Sequence, residues 1–505
     1  MELTLQKKTF SCYESATPLT EKRDLTGETI IPDYCPDIAR IIDACGRLCI
    51  RSKEVTDGHS CISGAIDMTL LYTAEGGGVK SFSYSLAFDE IFDSPSFKDC
   101  SELCVETQLL LPEVRALNPR KIHTCAGILF SLTPYRRSEH QSCSAVSDEG
   151  EFGIRTLCDE REVCLAKSIK EKTFTFIDTI DLKKNVQDLL CCKAKLRLTE
   201  TKVSGGKVFL KGCVLADIVC CLQNGALQRE SVELPFSQIV DGIEEDGILT
   251  ARAYAYLTDC ECTEDAEGNG CSFTLKLFGN AFVVVYQTLK IPAITDLYST
   301  THELTAEMRG EEVCQSRETL IKEQSVREQI ESGTEVSEVL GCDIFFTQNS
   351  LIIQEGKASL RSSAVIKVLC VDEGGTPFSV ERRVEVSSVA DIPENCAVSI
   401  EDVCCGELRA TAAGGGIEVR FSAVFTLMLT CRCHTVTLCA LQVQPRSEEQ
   451  EKAPSLVLKP LLKGQRLWDI AKQYRTTCED ILCANEAEDE SAFSVGEMLL
   501  IPKRR

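Results

Sequence analysis

The feature that most constrains the fold is an internal repeat with a period of about 150 residues. Gly58, Gly206 and Gly356 align, and alternating apolar positions follow each of them at identical offsets. The aligned positions are Ile66, Met68, Leu70 and Tyr72, then Val214, Ala216, Ile218 and Cys220, then Ala364, Ile366, Val368 and Cys370. Because successive side chains of a strand point to opposite faces, this pattern predicts a half-buried strand in each copy.

A glycine-rich turn follows each of these strands, at residues 75–78, 223–225 and 372–375. Glycine and asparagine supply the positive φ that tight hairpin turns require. Further apolar segments follow, such as 105–111 and 273–285. Each copy is therefore predicted to be a unit rich in hairpins and strands.

Apolar residues upstream of each aligned strand are spaced at i, i+3 and i+4. They are Ile38, Ile41 and Ile42, then Val186, Leu189 and Leu190, then Val336, Val339 and Leu340. That spacing is typical of one face of a short helix. The predicted fold class is therefore mainly β, with three repeats that each carry a short helix, followed by a C-terminal α+β domain.

Polar segments divide the chain. Residues 138–162 and 296–311 have little apolar periodicity, and residues 445–455 are charged and bounded by prolines. The predicted domains are repeat 1 at residues 1–137, repeat 2 at 163–290, repeat 3 at 312–444, a linker at 445–455 and a terminal domain at 456–505.

Charge and hydropathy exclude several classes of partner. The net charge of −23 over 505 residues argues against nucleic acid and anionic lipid surfaces. No apolar segment follows Lys7 and Lys8, so no secretory signal is expected. No apolar run approaches the roughly 20 residues that span a bilayer, so we expect no transmembrane segment and a cytoplasmic location.

The chain has 30 cysteines, a high count for a long chain with no recognisable leader. Many stand where a small hydrophobic residue would, as in Cys191, Cys192, Cys220 and Cys221. Buried reduced thiols are therefore the favoured interpretation. Later oxidative cross-linking is a separate alternative.

Neither a metal site nor a catalytic motif is predicted. Cys260 with Cys262, and Cys431 with Cys433, are spaced by one residue, whereas zinc sites use pairs separated by two or more. The sequence has no Gly-x-Ser-x-Gly, no His-Glu-x-x-His and no phosphate-binding loop ending in Gly-Lys-Ser/Thr. We therefore expect a protein without a cofactor that is not an enzyme.

A proline-bounded string in the first copy resembles a known family. It begins at Ile30-Ile31 and continues as Pro32, Asp33, Tyr34, Cys35, Pro36 and Asp37. This string resembles the start of the SPOCS domain of spore-coat and spore-envelope assembly proteins of clostridia. Copies two and three lack it, so a partner contact through Pro32, Asp33, Tyr34, Pro36 and Asp37 would belong to repeat 1 alone. The alternative is that the string is a structural corner.

The terminal segment 456–502 resembles a LysM domain. Leu467, Ile470, Ala471 and Tyr474 give one helix face, and residues 476–479 form a capping-box pattern before a second helix. Apolar strands flank the two helices, which matches the β-α-α-β order of the family.

LysM domains usually bind glycans that contain N-acetylglucosamine, such as peptidoglycan. By position, the resemblance implies a ligand or partner groove at Gly464, Gln465, Arg466, Leu467, Asn485, Glu486, Ala487 and Glu488. The usual loop of the family is Gly-Asp-Ser/Thr-Leu, so Gln465 and Arg466 replace its acid and its helix-capping hydroxyl. Trp468 either stacks on a sugar or packs against the module's own body.

SPOCS repeats followed by a LysM module resemble the spore-coat morphogenetic proteins of clostridia. The resemblance implies a non-catalytic scaffold in the mother-cell cytoplasm at the forespore surface. It also implies a partner, the coat morphogenetic ATPase called stage IV sporulation protein A. The alternative is a peptidoglycan-binding protein of the cell wall or cortex. As a mechanism, we expect multivalent contacts from modules on flexible joints.

Overall fold

A computed structural model describes residues 3–147, 151–182, 184, 186–244, 246–265, 271–445 and 456–502. Within these residues the chain has 22 β-strands and two α-helices, which confirms the predicted β-rich fold with a small helical part at the C-terminus. The predicted linker at 445–455 lies, apart from Pro445, outside the described residues, as do the last three residues of the predicted terminal domain.

The strands follow the repeats in order. Repeat 1 contains β1 Thr4–Ser15, β2 Leu19–Ile30, β3 Ile38–Thr56, β4 His59–Ala74, β5 Val79–Asp93, β6 Glu102–Leu109, β7 Glu113–Asn118 and β8 Lys121–Ser147. Repeat 2 contains β9 Ile154–Asp181, β10 Val186–Ser204, β11 Lys207–Leu222, β12 Leu227–Asp241, β13 Ile248–Glu264 and β14 Ser272–Ser299. Repeat 3 contains β15 Glu303–Glu331, β16 Val336–Gln354, β17 Lys357–Asp372, β18 Pro377–Asp391, β19 Cys396–Ala413 and β20 Gly416–Gln444.

Each repeat packs a three-stranded antiparallel sheet against a second, longer sheet. The three-stranded sheets have the orders β3-β4-β5, β10-β11-β12 and β16-β17-β18. All of the aligned alternating residues lie on their central strands β4, β11 and β17, and each set is buried in the core of its own repeat. The strands and hairpin turns predicted from the repeat are thus confirmed.

The longer sheets are built on β8, β14 and β20. The strands β13-β14-β9-β1-β8-β2 form one continuous sheet in that order, in which β6 and β7 also pair with β8, and β15-β20-β19 form another. The first half of each long strand covers the core of its repeat. The second half continues beyond it and pairs with β1, β9 or β15, so that each repeat extends into a two-stranded arm.

The predicted short helix of each repeat is wrong, because those residues begin strands β3, β10 and β16. The pairing of β3 with β4 shifts between Ile38 and Arg40 and again between Ile41 and Asp43, and β10 and β16 shift at the corresponding positions. Each β-bulge inserts one extra residue, which changes the spacing of same-face side chains from two to three. Ile38, Ile41 and Ala44 therefore all contact the core of repeat 1.

A further bulge explains a glycine that recurs in the repeat. Gly64 of β4 and Gly212 of β11 lie opposite the third bulge of β3 and β10. A Cβ atom at these positions would approach a backbone carbonyl oxygen to 2.4 Å and 2.0 Å respectively. Repeat 3 has Ser362 instead, and its wider bulge leaves room for the hydroxyl to donate to Asn349 Oδ1 at 2.6 Å.

The polar segments predicted as joints are strands. Residues 138–147 belong to β8 and residues 154–162 to β9, while the segment 296–311 supplies the end of β14 and the start of β15. The arms show little apolar periodicity because they are narrow and leave many side chains in solvent. Their shared interior is a small cluster that includes Cys143, Ile294 and Leu438, one residue from each long strand.

The three-stranded sheets also meet one another. Ile42, Leu190 and Leu340 contribute to one apolar cluster, together with Leu71, Val219 and Leu369. Each set of three occupies the same position in the three repeats. Equivalent residues meet in this way only when the repeats are arranged around an approximate threefold axis.

Ion pairs lie around this axis. Asp343 of repeat 3 accepts from Lys193 of repeat 2 at 2.8 Å and from Arg229 of repeat 2 at 2.9 Å. Lys367 of repeat 3 lies 2.5 Å from the buried carboxylate of Asp43 in repeat 1. The repeats therefore form one packed body, which corrects the prediction of modules on flexible joints.

A cavity of about 2560 Å³ lies between the repeats. Glu106 of β6, Arg252 of β13 and Glu401 of β19 all line it, so each repeat contributes charged side chains to its wall. Arg252 and Glu401 form an ion pair across the boundary between repeats 2 and 3. The arrangement around an axis thus leaves an open cavity between the repeats that is lined by both polar and apolar side chains.

One pair of cysteines differs from the prediction of reduced thiols. Cys396 and Cys431 are directly opposite each other in β19 and β20 and form a disulfide with a Cα–Cα distance of 4.0 Å. Cys431 is therefore not free to act as a metal ligand beside Cys433. Of the four cysteines predicted to be buried thiols, Cys191 and Cys220 are buried, whereas Cys192 and Cys221 are half-buried.

Candidate docking site

The terminal module is built from β21 Leu456–Pro460, α1 Leu467–Tyr474, α2 Cys478–Ala484 and β22 Met498–Pro502. The predicted order of strand, helix, helix and strand is confirmed. The strands pair in antiparallel fashion, and the helices cover one face of the pair. The buried core of the module consists of Leu461, Leu467, Ile470, Ala471, Ile481, Leu499 and Ile501.

The second helix begins one residue later than the capping-box pattern predicts. Thr477 is the N-cap, and its hydroxyl oxygen accepts from the backbone N–H of Asp480 at 3.0 Å. Thr476 instead belongs to the turn between the helices, where its backbone N–H donates to Ala471 O. The turn uses Thr476 because Arg475 adopts a left-handed conformation that ends α1.

The loop before α1 contains the first half of the candidate groove. Gly464 has a φ of +79°, which a residue with a side chain rarely adopts. Arg466 is the N-cap of α1, but a guanidinium cannot accept a hydrogen bond. The carboxylate of Asp469 compensates, since it accepts from the Arg466 N–H at 3.1 Å and from the guanidinium. Asp469 thus holds the loop at the start of α1, where other sequences of the family have a hydroxyl.

The loop after α2 contains the second half. The side chain of Asn485 donates to Ile481 O and Leu500 O, both at 2.7 Å, and accepts from the Leu500 N–H at 2.8 Å. Asn485 therefore ties α2 to β22 and is not free to turn toward a ligand. Its neighbours Glu486 and Glu488 are exposed, whereas Ala487 is half-buried.

The structure brings the two loops together through a residue that the sequence did not indicate. Glu490 accepts a hydrogen bond from the backbone N–H of Leu467 with its carboxylate. Leu467 itself is buried in the module, while Gly464 and Arg466 remain exposed. The exposed candidate positions of the groove are thus Gly464, Arg466, Glu486 and Glu488.

Trp468 connects the module to the arm of repeat 2. Its indole ring packs edge-on against Tyr298 at 4.9 Å between centroids, and its Nε1–H donates to Asp296 Oδ2 at 2.9 Å. Tyr298 in turn donates its hydroxyl hydrogen to Thr476 O at 2.7 Å. The ring packs against Tyr298 and the core of its own module, so that of the two alternatives the structure favours packing within the chain over stacking on a sugar.

Charged groups reinforce the same contact. Asp296 also pairs with Lys472, and Arg475 pairs with Glu303 at the start of β15. Burial alone would raise the pKa of Asp296, but hydrogen bonds from Lys472 and Trp468 lower it below its ordinary value. Sequence reasoning missed this interface because Asp296 and Glu303 lie in a segment interpreted as a connector.

Replacing Asp296 by alanine is expected to weaken this contact by about 2 kcal/mol, because two charge-assisted hydrogen bonds are lost. The chain has a single tryptophan, so the fluorescence of Trp468 reports directly on the contact. We expect its emission to shift to longer wavelength as water reaches the ring. Glu488→Ala, which removes an exposed carboxylate from the same module, should leave the emission unchanged. An unshifted spectrum for Asp296→Ala would show that the module is held elsewhere.

The proline-bounded string of repeat 1 forms a short loop between β2 and β3. The Cys35 N–H donates to Pro32 O at 2.9 Å, and Tyr72 donates its hydroxyl hydrogen to Pro36 O at 3.1 Å. The guanidinium of Arg120 pairs with Asp33 at 3.1 Å and with Asp37 at 2.5 Å. Pro32, Asp33, Pro36 and Asp37 thus stabilise a corner.

Tyr34 differs from the rest of the loop, because its side chain is not part of this network. It is 84% exposed, which is unusual for an aromatic residue. Ile30 and Leu117 are also exposed in the same end of repeat 1. The loop therefore combines the two alternatives: most of its residues are structural, and Tyr34 is presented to solvent.

The described residues contain no group of three or more His, Cys, Asp or Glu side chains placed to hold a metal ion. None of the helices in this part of the chain has the length and apolarity that crossing a membrane requires.

Fold and site together define a class: a tandem array of β-rich units whose candidate sites are surface loops suited to macromolecular contacts. The comparison with protein families makes this specific. A family model described as SipL, SPOCS domain matches residues 37–109 and 185–264. The two segments extend from the start of β3 to β6 and from the start of β10 to β13, so that repeats 1 and 2 each contain a segment similar to the SPOCS domain. SPOCS domains are not a known catalytic family. A search of curated proteins found no match to the chain.

Proposed function

We propose that this protein is a non-catalytic scaffold for spore-envelope or coat assembly. In this proposal it works in the mother-cell cytoplasm and docks the coat morphogenetic ATPase, stage IV sporulation protein A, at the forespore surface. The observation that carries the proposal is the SPOCS match in two repeats that pack into one body. Repeat 3, with the same order of strands, is proposed as a third SPOCS-like unit.

The contacts made by the loops of the terminal module favour a protein partner over a glycan ligand. A sugar groove of the LysM type would need its loop residues available to a ligand. Here Asn485 is held by three hydrogen bonds, and Trp468 packs on the arm. The exposed Arg466 is paired with Asp469. We therefore propose that the module serves chiefly to complete the tip of the arm of repeat 2, with its remaining exposed loop available to a protein.

Tyr34 is the proposed partner contact of repeat 1. Exposed tyrosines often dominate protein interfaces because they bury a large area at low cost in conformational entropy. The corner around it, held by Arg120, fixes the backbone that carries Tyr34 before binding. Such preorganisation reduces the entropy lost on association.

A pair of binding measurements tests the proposal. The full chain is titrated with purified stage IV sporulation protein A and, separately, with purified peptidoglycan. We expect saturable binding to the protein, weakened about tenfold or more by Tyr34→Ser. The matched control is Ile248→Ser, which removes an exposed apolar side chain from repeat 2.

Saturable binding to peptidoglycan alone, lost on Arg466→Ala, would instead favour the alternative of a glycan-binding protein of the cell wall or cortex. A fluorescent fusion followed through sporulation gives an independent check. Signal that never surrounds the forespore would contradict the scaffold proposal whatever the binding data show.

A further inference from the structure

Two pairs of cysteines lie at contacts between repeats. Cys45 of β3 in repeat 1 and Cys191 of β10 in repeat 2 have their sulfur atoms 2.9 Å apart. Cys164 of β9 in repeat 2 is buried in an apolar cluster against which Cys314 of β15 in repeat 3 packs. Both pairs therefore join consecutive repeats, although their members are distant in the sequence.

The first pair lies at the shared apolar cluster around the threefold axis, where Cys191 is buried and Cys45 packs against the cluster. The residues aligned with Cys45 in the other repeats are Lys193 and Asp343, which form a charged contact between repeats 2 and 3. The contact between repeats 3 and 1 is also charged, through Lys367 and Asp43. At the contact between repeats 1 and 2, two thiols meet at this level instead.

The second pair lies in the arms. Cys164 and Cys314 occupy the same position in repeats 2 and 3, because they pair with Thr288 of β14 and Arg432 of β20 at equal distances from the strand starts. The hydrogen bond from Cys164, opposed by burial and assisted by Arg317, lowers the pKa of Cys314 to about 6. A lowered pKa makes Cys314 the more reactive thiol of this pair.

We propose that Cys45 with Cys191, and Cys164 with Cys314, are modification sites at which oxidation forms disulfides that covalently join the three repeats. The sulfur atoms of the first pair stand 2.9 Å apart, and a disulfide bond is about 2.05 Å long, so closure requires a movement of less than about 1 Å. This inference concerns the body of the fold and does not depend on the proposed function.

The oxidant that we propose is hydrogen peroxide. Cys45 and Cys191 both line the central cavity, which is large enough to admit it. A thiolate attacks one peroxide oxygen, the O–O bond breaks, and the sulfur becomes a sulfenic acid while hydroxide leaves and takes up a proton as water. The partner thiolate then attacks that sulfur, the S–O bond breaks, and a second water leaves as the S–S bond forms. Two thiols thus give two electrons to one peroxide.

Closing the first pair would link residues 146 positions apart. A cross-link that closes so long a loop strongly restricts the unfolded chain. Oxidation is therefore expected to convert a body held by packing and ion pairs into one that resists unfolding. The apolar cluster and the arms would be secured at two separate levels of the same axis.

The test uses the full chain, purified with reductant and then exposed to hydrogen peroxide. Free thiols are blocked at low pH, the protein is digested without reduction, and linked peptides are identified by mass spectrometry. We expect a Cys45–Cys191 peptide and a Cys164–Cys314 peptide, faster migration on a non-reducing gel, and a higher midpoint of thermal unfolding.

Cys45→Ser and Cys164→Ser should each remove one linked peptide and part of the gain in unfolding temperature. Cys61→Ser, at a half-buried cysteine of repeat 1, should remove neither peptide. If a variant fails to fold, the linked peptides identified in the parent chain still test the proposal. Recovery of a pair as blocked thiols after oxidation, or as disulfides to other cysteines, would overturn the proposal for that pair.

Discussion

Asp343→Ala is expected to lower the free energy of unfolding by about 3–5 kcal/mol, because it leaves buried cations without their counter-ion. Asp343 bridges repeats 2 and 3 by accepting from Lys193 and Arg229, and the Arg229 side chain is only 7% exposed. Without Asp343, Arg229 would keep only the carboxylate of Asp217 at 3.0 Å, and Lys193 would lose its ion-pair partner. Chemical denaturation of the full chain, followed by circular dichroism, measures the loss.

The effect should depend on pH in a defined direction. Burial alone would raise the pKa of Asp343, but Lys193 and Arg229 hold it well below its usual range. Its contribution to stability is therefore present above the unfolded value of about 3.9 and is lost as the pH falls through the lower folded value. The difference between Asp343→Ala and the parent should shrink in strong acid.

The control for this prediction is Asp24→Ala, which removes an exposed ion pair with Lys22. An exposed pair of this kind contributes about 1 kcal/mol or less. If both variants lose equally little stability, the contact between repeats 2 and 3 does not depend on Asp343. Faster hydrogen exchange in β10 and β16 would locate the loss at that contact.

Glu106→Gln is expected to stabilise the protein at pH 8 by roughly 2–3 kcal/mol and to change little at pH 4. Glu106 lines the central cavity, where burial raises its pKa to about 7, opposed by Arg252 and assisted by Asp402. The folded chain thus retains a proton that the unfolded chain, with an ordinary glutamate pKa of about 4.3, has already released. Stability must then fall as the pH rises between these two values.

Glutamine removes the titration while it keeps the shape of the side chain. Denaturation midpoints at several pH values, compared with the exposed turn variant Glu75→Gln, isolate this contribution from the general effect of the net charge of −23. Parallel pH profiles for Glu106→Gln and the parent would mean that water in the cavity solvates the carboxylate fully.

Features of the fold that depend on neighbouring residues were predicted from the sequence, whereas features that depend on distant residues were not. The alternation around Ile66, Val214 and Ala364 correctly predicted strands, since burial of one strand face leaves a mark in adjacent residues. The spacing at Ile38 and Ile41 misled, because two bulges in β3 imitate a helical period. A bulge depends on how a strand pairs with its partner strand. The apolar periodicity of one segment carries no information about that pairing.

In the candidate docking site, too, some features follow from local signals and others depend on distant contacts. The two helices of the terminal module follow from local signals, namely the apolar face around Ile470 and a threonine before α2. The use of Trp468 against Tyr298 does not, because 170 positions separate the two residues. Likewise, Arg120 holds Asp33 and Asp37 from a distant strand, so that the corner leaves Tyr34 exposed.

The sequence by itself determined the threefold repetition, the hairpins within each copy and the small helical module at the end, because turn residues and apolar periodicity act over a few neighbouring positions. Only the tertiary structure decided that the arms are strands, that the repeats close around an axis, and that cysteines from different repeats meet. Those contacts join residues far apart in the chain. The free energy of these contacts depends on which distant surfaces pack together, and local residue patterns do not predict that packing.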